Sequence, residues 1–184
     1  MQYKLTTPCT AGDLAKLRAG DTILLSGIVY TARDAAHKRM CEALDAGETL
    51  PFPLEGSAIY YVGPTPEKPG QVIGSAGPTT SGRMDAYSPR LLDLGNKIMI
   101  GKGKRDASVK EAVVRNGAVY VAALGGAGAL MCQCVKSLEI IAWPDLGCEA
   151  VRRLQVEDMP LTVILDTQGG DLYESGPNAY LQSL

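Results

Sequence analysis

A layered α/β fold is predicted for this 184-residue chain by three observations. From Asp106 onward, helical and strand-like segments alternate at short spacing. Residues 21–30 (DTILLSGIVY) form a strong strand signal that runs directly into a helical pattern. Hydrophobic residues make up 46% and charged residues 21%, an ordinary globular balance that fills a sizeable core. Residues 1–184 are read as one domain.

The chain justifies this in order. Residues 3–6 start a strand and residues 11–17 a short helix. In the strand at 21–30, Gly27 marks a bulge or a close backbone approach. Thr31 followed three residues later by Asp34 reads as a capping box opening a helix over 32–46, with Arg33 and His37 one turn apart. A proline-rich excursion over 48–69 encloses a strand at 58–62. Residues 84–94 are helical, 97–100 a short buried strand, 107–116 a helix stopped by Gly117, and 118–124 a strand. A small-residue helix over 127–135, a strand at 138–143, a short helix at 148–154 and a strand at 161–166 complete the pattern. The tail, 171–184, is polar and is placed on the surface.

A net charge of -2, with no basic run and one Phe and one Trp, gives no footprint for nucleic acid. The longest apolar run, 118–132, is broken by Gly125, Gly126 and Gly128 and is shorter than a membrane span of ~20 residues. Five scattered cysteines (Cys9, Cys41, Cys132, Cys134, Cys148) and a polar N-terminus lacking a secretory pattern lead to the expectation of a reduced cytoplasmic setting. Cys132-Gln133-Cys134 falls in a helical pattern that makes its side chains diverge, so both are read as small buried hydrophobes, and no metal ligands are assigned. Gly125-Gly126-Ala127-Gly128 has the wrong spacing for a dinucleotide fingerprint, and Gly101-Lys102-Gly103 lacks the rest of a phosphate-binding loop.

The chemistry gathers around Gly77-Pro78-Thr79-Thr80-Ser81-Gly82-Arg83-Met84-Asp85. Two glycines and a proline shape the backbone, three consecutive hydroxyls supply hydrogen bonds, and Arg83 supplies a planar fork for a carboxylate or phosphate. A helix starting at Met84 would set these donors at its N-terminus, where anions are favoured. Arg33, Arg83 and Lys102 stand where strands end or loops turn, and with the hydroxyls they suit a small di-anion. The same composition also describes a polar loop, a solvated lysine and a structural histidine at His37, and the residues alone leave both readings open.

Three segments in order (Thr31-Ala32-Arg33-Asp34-Ala35-Ala36-His37-Lys38-Arg39, the stretch 77–85, and Gly101-Lys102-Gly103) resemble the iron–sulfur hydro-lyases. These are the class I fumarate hydratases and L(+)-tartrate dehydratases, and the likeness is to the β subunit, or the C-terminal domain of single-chain forms. The resemblance spans essentially the whole chain and implies a "swivelling" β/β/α domain. It implies reversible hydration of fumarate to L-malate, or loss of water from tartrate, at a [4Fe–4S] cluster held by three cysteines of a partner α subunit. It further implies that Arg33, Arg83 and Lys102 bind substrate, that Thr79 removes the proton beside the carboxylate, and that subunits assemble as α2β2; the loop places Thr80 beside them as a further substrate-binding hydroxyl, and His37 or a partner-chain carboxylate assists Thr79. Lys104 stands before Arg105 where the family pattern has Asn. A non-catalytic carboxylate-binding module is the alternative class, separated from the first by whether a cluster-bearing partner exists.

Overall fold

A computed structural model describes residues 1–123 and 126–182. Among these described residues seven strands form one sheet: β1 (Gln2–Thr6), β2 (Thr22–Thr31), β3 (Ala58–Tyr60), β4 (Ile98–Gly101), β5 (Val119–Ala122), β6 (Val135–Ala142) and β7 (Val151–Leu165). The order is β1-β2-β3-β4-β5-β7-β6, and β2 also pairs with β7, so β2, β3, β4, β5 and β7 close into a ring. The pairs β2–β3, β3–β4 and β4–β5 are parallel, whereas β7 runs antiparallel to both β5 and β2. Closure is possible because β2 and β7 are long. The first half of β2 pairs with β1 and its end with β3, while β7 lies along its other side.

Side-chain alternation on β3, β4 and β5 builds two cores. Ala58, Tyr60, Ile98, Ile100, Val119 and Val121 point into the ring, facing Ile23, Leu25, Leu154, Val156 and Val163 of β2 and β7. Ile59, Met99 and Tyr120 point outward, under the helices α2 (Asp34–Asp45), α3 (Ser88–Asp93) and α4 (Ala107–Asn116). The two walls of the closed sheet and the helices therefore stack as a layered β/β/α arrangement, the α/β class the sequence predicts. Strands buried on both faces are continuously apolar, which is why the pattern of β3 to β5 reads clearly.

Most expected elements are present. Helix α4 begins at Asp106, whose carboxylate accepts from the Val109 N–H at 2.9 Å, and ends on Gly117 in the left-handed conformation. Gly27, at φ 102°, stands at a register shift between β2 and β7, and a side chain there would strike Thr7. Helix α1 (Ala11–Leu14) carries a capping box from Thr10 and Asp13, and α5 (Gly128–Gln133) leads into β6.

Four readings are corrected. Residues 148–154 are not a helix: a 3₁₀ turn over Pro144–Glu149 feeds β7, and that strand continues through the segment expected to begin only at 161. Inward side chains switch from Leu154 and Val156 to Met159 and Leu161 at a bulge carrying Asp158 at φ 46°, which hides the alternation. Thr31 does not cap α2, because it belongs to β2 and spends its hydroxyl on β7, donating to the Ala150 carbonyl and accepting from the Arg152 N–H. The helix expected over 84–94 is a 3₁₀ turn (Ser81–Met84) followed by α3, whose first turn holds Pro89. Cys132 and Cys134 are half-buried rather than buried, each thiol turned to a carbonyl of its own helix. The polar tail forms α6 (Leu172–Gln182). The ends of the expected strand 118–124 and of the tail, and Gly125 of the glycine cluster, lie outside the described residues.

Candidate active site

Because β2, β3 and β4 are parallel, Thr31, Tyr60 and Gly101 end on one edge of the ring. The chain leaves β2 into Arg33 and leaves β4 into Lys102. The stretch 78–84 is laid across the same edge by its backbone. Pro78 bridges to Val62, the Thr79 N–H donates to the Tyr61 carbonyl at 2.7 Å, and Thr80 pairs in parallel with Lys102. The Ser81 N–H donates to the Lys102 carbonyl at 2.8 Å. Thr79, Thr80 and Lys102 are thus brought together by main-chain bonds, with Thr79 half-buried and Thr80 and Lys102 exposed.

Ser81, whose hydroxyl the sequence grouped with those of Thr79 and Thr80 for an anion, is instead the stitch between the two loops. Its buried hydroxyl accepts from the Lys102 N–H at 3.0 Å and lies 2.9 Å from the Tyr120 hydroxyl. Tyr120 in turn donates to the Gly103 carbonyl at 2.8 Å. One proton per hydroxyl then fixes the order, Ser81 donating to Tyr120. Gly101 makes the approach possible, since a Cβ there would stand 2.0 Å from Ser81 Oγ.

Beneath these loops Arg105 is wholly buried. Its Nε donates to Asp85 Oδ1 at 2.6 Å and one Nη to Ser88 Oγ at 2.7 Å, while its cation lies 5.0 Å from the Tyr120 ring centre and 5.4 Å from that of Tyr61. Asp85 Oδ2 also accepts from the Asp106 N–H at 2.8 Å. The end of the 77–85 stretch is therefore clamped to the segment that follows Lys102.

Arg33 and Arg83 meet through Asp34. Arg83 Nη2 lies 2.5 Å from Asp34 Oδ2, and Arg33 Nε lies 3.7 Å from Asp34 Oδ1. Arg33 Nη2 pairs with Glu149 Oε1 at 3.2 Å. Arg33 Nε and Asp34 Oδ1 are buried without a hydrogen-bond partner. Arg83 is half exposed, so its fork is accessible. All three cations expected from sequence stand at this edge with both threonines.

His37 does not reach that surface. It is fully buried on the inner face of α2, its ring against Tyr61 at 5.3 Å, with Nδ1 2.9 Å from the Arg33 carbonyl, so that Nδ1 carries the proton and Nε2 has no partner. Burial, with Arg105 nearby, pushes its pKa from the ordinary 6.5 down to about 4. Arg105 is the cation that opposes its charging. The folded state keeps His37 neutral where the unfolded chain protonates it. The stability this contributes is complete above pH 6.5 and falls, by on the order of 3 kcal/mol, as pH drops toward 4. Urea titrations from pH 7 to 4 are expected to show this slope reduced in His37→Gln; an identical slope would assign it to other groups.

The cysteines do not fit an iron–sulfur cluster. Among the described residues no three His, Cys, Asp or Glu side chains come together as a metal site, and the five thiols are dispersed. Nor is any helix among them long and apolar enough to cross a membrane.

Fold and edge together define a layered α/β domain with a cationic, hydroxyl-bearing rim. The chain belongs to the fumarase C-terminus family, which matches residues 1–176. It is 37% identical over 164 residues to the aerobic class I fumarate hydratase of Escherichia coli K12, an alignment covering 88% of this chain and 30% of that protein. Fumarate hydratase 2 of Leishmania major is 38% identical over 167 residues, covering 88% of this chain and 29% of that protein. The putative L(+)-tartrate dehydratase subunit β of Methanocaldococcus jannaschii is 40% identical over 171 residues, covering 90% of this chain and 88% of that subunit. The chain thus spans about 30% of the length of the fumarate hydratases it matches.

Proposed function

We propose that this chain is the β subunit of a two-subunit hydro-lyase of the class I fumarate hydratase type, hydrating fumarate reversibly to L-malate. The observation that carries the reading is the convergence of Arg33, Arg83, Lys102, Thr79 and Thr80 on one strand edge. Arg33, Arg83 and Lys102 with Thr80 hold the substrate carboxylates. Their positive charge also stabilises the extra negative charge that gathers on a carboxylate when the neighbouring carbon loses its proton. Thr79 takes that proton as an alkoxide favoured by the neighbouring cations, returning to the neutral hydroxyl as the charge passes to the substrate carboxylate. His37 assists by fixing the Arg33 backbone from below, since a buried neutral ring with its proton committed to a carbonyl has no path to substrate.

In this reading residues 1–184 act as one domain in the cytoplasm, in an α2β2 assembly. A [4Fe–4S] cluster belongs to the α subunit and supplies the Lewis acid for the departing hydroxyl. The second reading, L(+)-tartrate dehydratase, is favoured by one observation: the relative of matching length is named a tartrate dehydratase subunit β. Both substrates are C4 dicarboxylates that the same cations suit.

The test is anaerobic assay of the chain co-expressed with a cluster-bearing α subunit, on fumarate, malate and tartrate. Turnover of one of them only by the pair supports the reading. Inactivity of the pair on all three points to a carboxylate-binding module, and hydratase activity of this chain alone after iron–sulfide reconstitution refutes the shared site.

Arg83→Lys keeps the charge and removes the planar fork. Folding is expected to be unchanged, because Arg83 is half exposed and bonded only at the surface. Activity of the pair is expected to drop ~100-fold, the scale of one or two charge-assisted contacts. Unchanged kcat/KM would remove Arg83 from the site.

A further inference from the structure

We propose that Glu149 is the positioning residue for Arg33, aiming its guanidinium at the place a substrate carboxylate occupies; this rests on the reading that Arg33 binds substrate. The argument begins with how tightly Glu149 is itself held. Its two carboxylate oxygens have different tasks: Oε2 accepts from the Ala35 N–H at 3.0 Å, in the first turn of α2, and Oε1 faces Arg33 Nη2 at 3.2 Å. The carboxylate therefore occupies the position at the helix start that the sequence assigned to Thr31, and joins the helix to the arginine preceding it.

The turn carrying Glu149 is mounted on a second arginine. Arg152, almost buried, donates from Nη1 to the Cys148 and Ala150 carbonyls and from Nη2 to the Gly147 carbonyl, each at 2.9 Å. Thr31 fixes the same turn from β2, through the Ala150 carbonyl and the Arg152 N–H. Three carbonyls wrapped around one guanidinium leave the turn little freedom, so the direction of the Glu149 side chain is set by the sheet.

Arg33 is boxed on its other side. A Cβ on Gly63 would stand 2.8 Å from Arg33 Nη1 and 3.2 Å from Cδ, so the side chain lies flat against that glycine. With Nη2 engaged by Glu149, Nε remains a buried donor with no partner, and Asp34 Oδ1 is too distant to serve it. A buried guanidinium N–H kept unbonded while its neighbour is clamped is a donor reserved for an incoming acceptor. Without Glu149 the guanidinium loses its clamp and is free to swing out toward solvent, which exposes the buried Nε and withdraws it from substrate.

Glu149→Gln keeps an oxygen for the Ala35 N–H and removes the charge facing Arg33. In ¹⁵N spectra of the full chain, with the Arg33 Nε–H signal assigned by its loss in Arg33→Lys, solvent exchange of that proton is expected to accelerate at least ~10-fold in Glu149→Gln. Unchanged exchange overturns the proposal. Glu149→Asp, which retains charge at shorter reach, is expected to fall between the two and stands in if the Gln variant folds poorly. In the assembled enzyme, KM for the dicarboxylate is expected to rise ~10-fold in Glu149→Gln with kcat changed less than ~3-fold. In an Arg33→Lys background the same change is expected to add nothing, whereas full additivity overturns the positioning role. Faster Arg33 exchange in Glu149→Gln, alongside an Arg33→Lys enzyme of unaltered KM, upholds the positioning and instead defeats the reading of Arg33 as a substrate ligand.

Discussion

Arg105→Met is expected to lose about 3–5 kcal/mol of folding stability, the cost of breaking a buried ion pair by removing one partner. The arginine side chain has no exposure, and its Asp85 partner is only 12% exposed. Methionine approximates the volume of the stem but leaves Asp85 facing an apolar surface, Ser88 Oγ without its charged donor, and two tyrosine rings without the cation between them. Arg105→Lys keeps the charge but cannot reach Asp85 and Ser88 together, so an intermediate loss is expected. Urea denaturation of the two variants checks both. A Met variant within ~1 kcal/mol of the native chain would show that the cluster is replaceable by simple packing.

Thr79→Val is expected to lower kcat of the assembled enzyme by ~100- to 10,000-fold while changing KM little, the signature of a group that acts in the transition state. The substitution preserves the shape of the side chain and the main-chain bond from residue 79 to the Tyr61 carbonyl, so the loop is expected to keep its course. Thr79→Ser is expected to retain part of the rate, and Thr80→Val to be milder. Thr80 is the exposed one of the pair and is tied to Lys102 through its backbone. Exchange of the substrate's C3 proton with deuterium isolates the step. A Thr79→Val enzyme that exchanges at the native rate removes Thr79 from proton transfer.

What could be read from the sequence divides by the range of the interactions involved. Helix α4 was legible because Asp106 and Gly117 mark both ends within the segment itself. The central strands were legible because burial on both faces leaves them few polar residues. Residues 151–160 of β7 were not, since the buried Arg152 and the bulge at Asp158 break its alternation; the carbonyls and bulge that accommodate them depend on the folded neighbours. Among site residues, the three cations and two threonines announced themselves at chain turns. Arg105 and Asp85 each sit beside a recognisable motif, but their pairing, 20 residues apart, left no local pattern. Glu149 had none either, because the helix N–H it accepts from lies 114 residues earlier.

The ring closure has a consequence for the order of events on the ribosome. Arg152 meets Thr31 across 121 residues, and β7, which locks β2, is the last strand to be made. Until it emerges, β2 lacks its antiparallel neighbour, the turn that holds Glu149 has no anchor, and the inward side chains of β3 to β5 lack the β7 half of their opposing layer. Contacts this distant in sequence form late and slowly. A nascent chain truncated before residue 151 would expose the apolar interior of the ring. The rim would then be completed only after synthesis has passed β7, making it a report that the whole fold has closed.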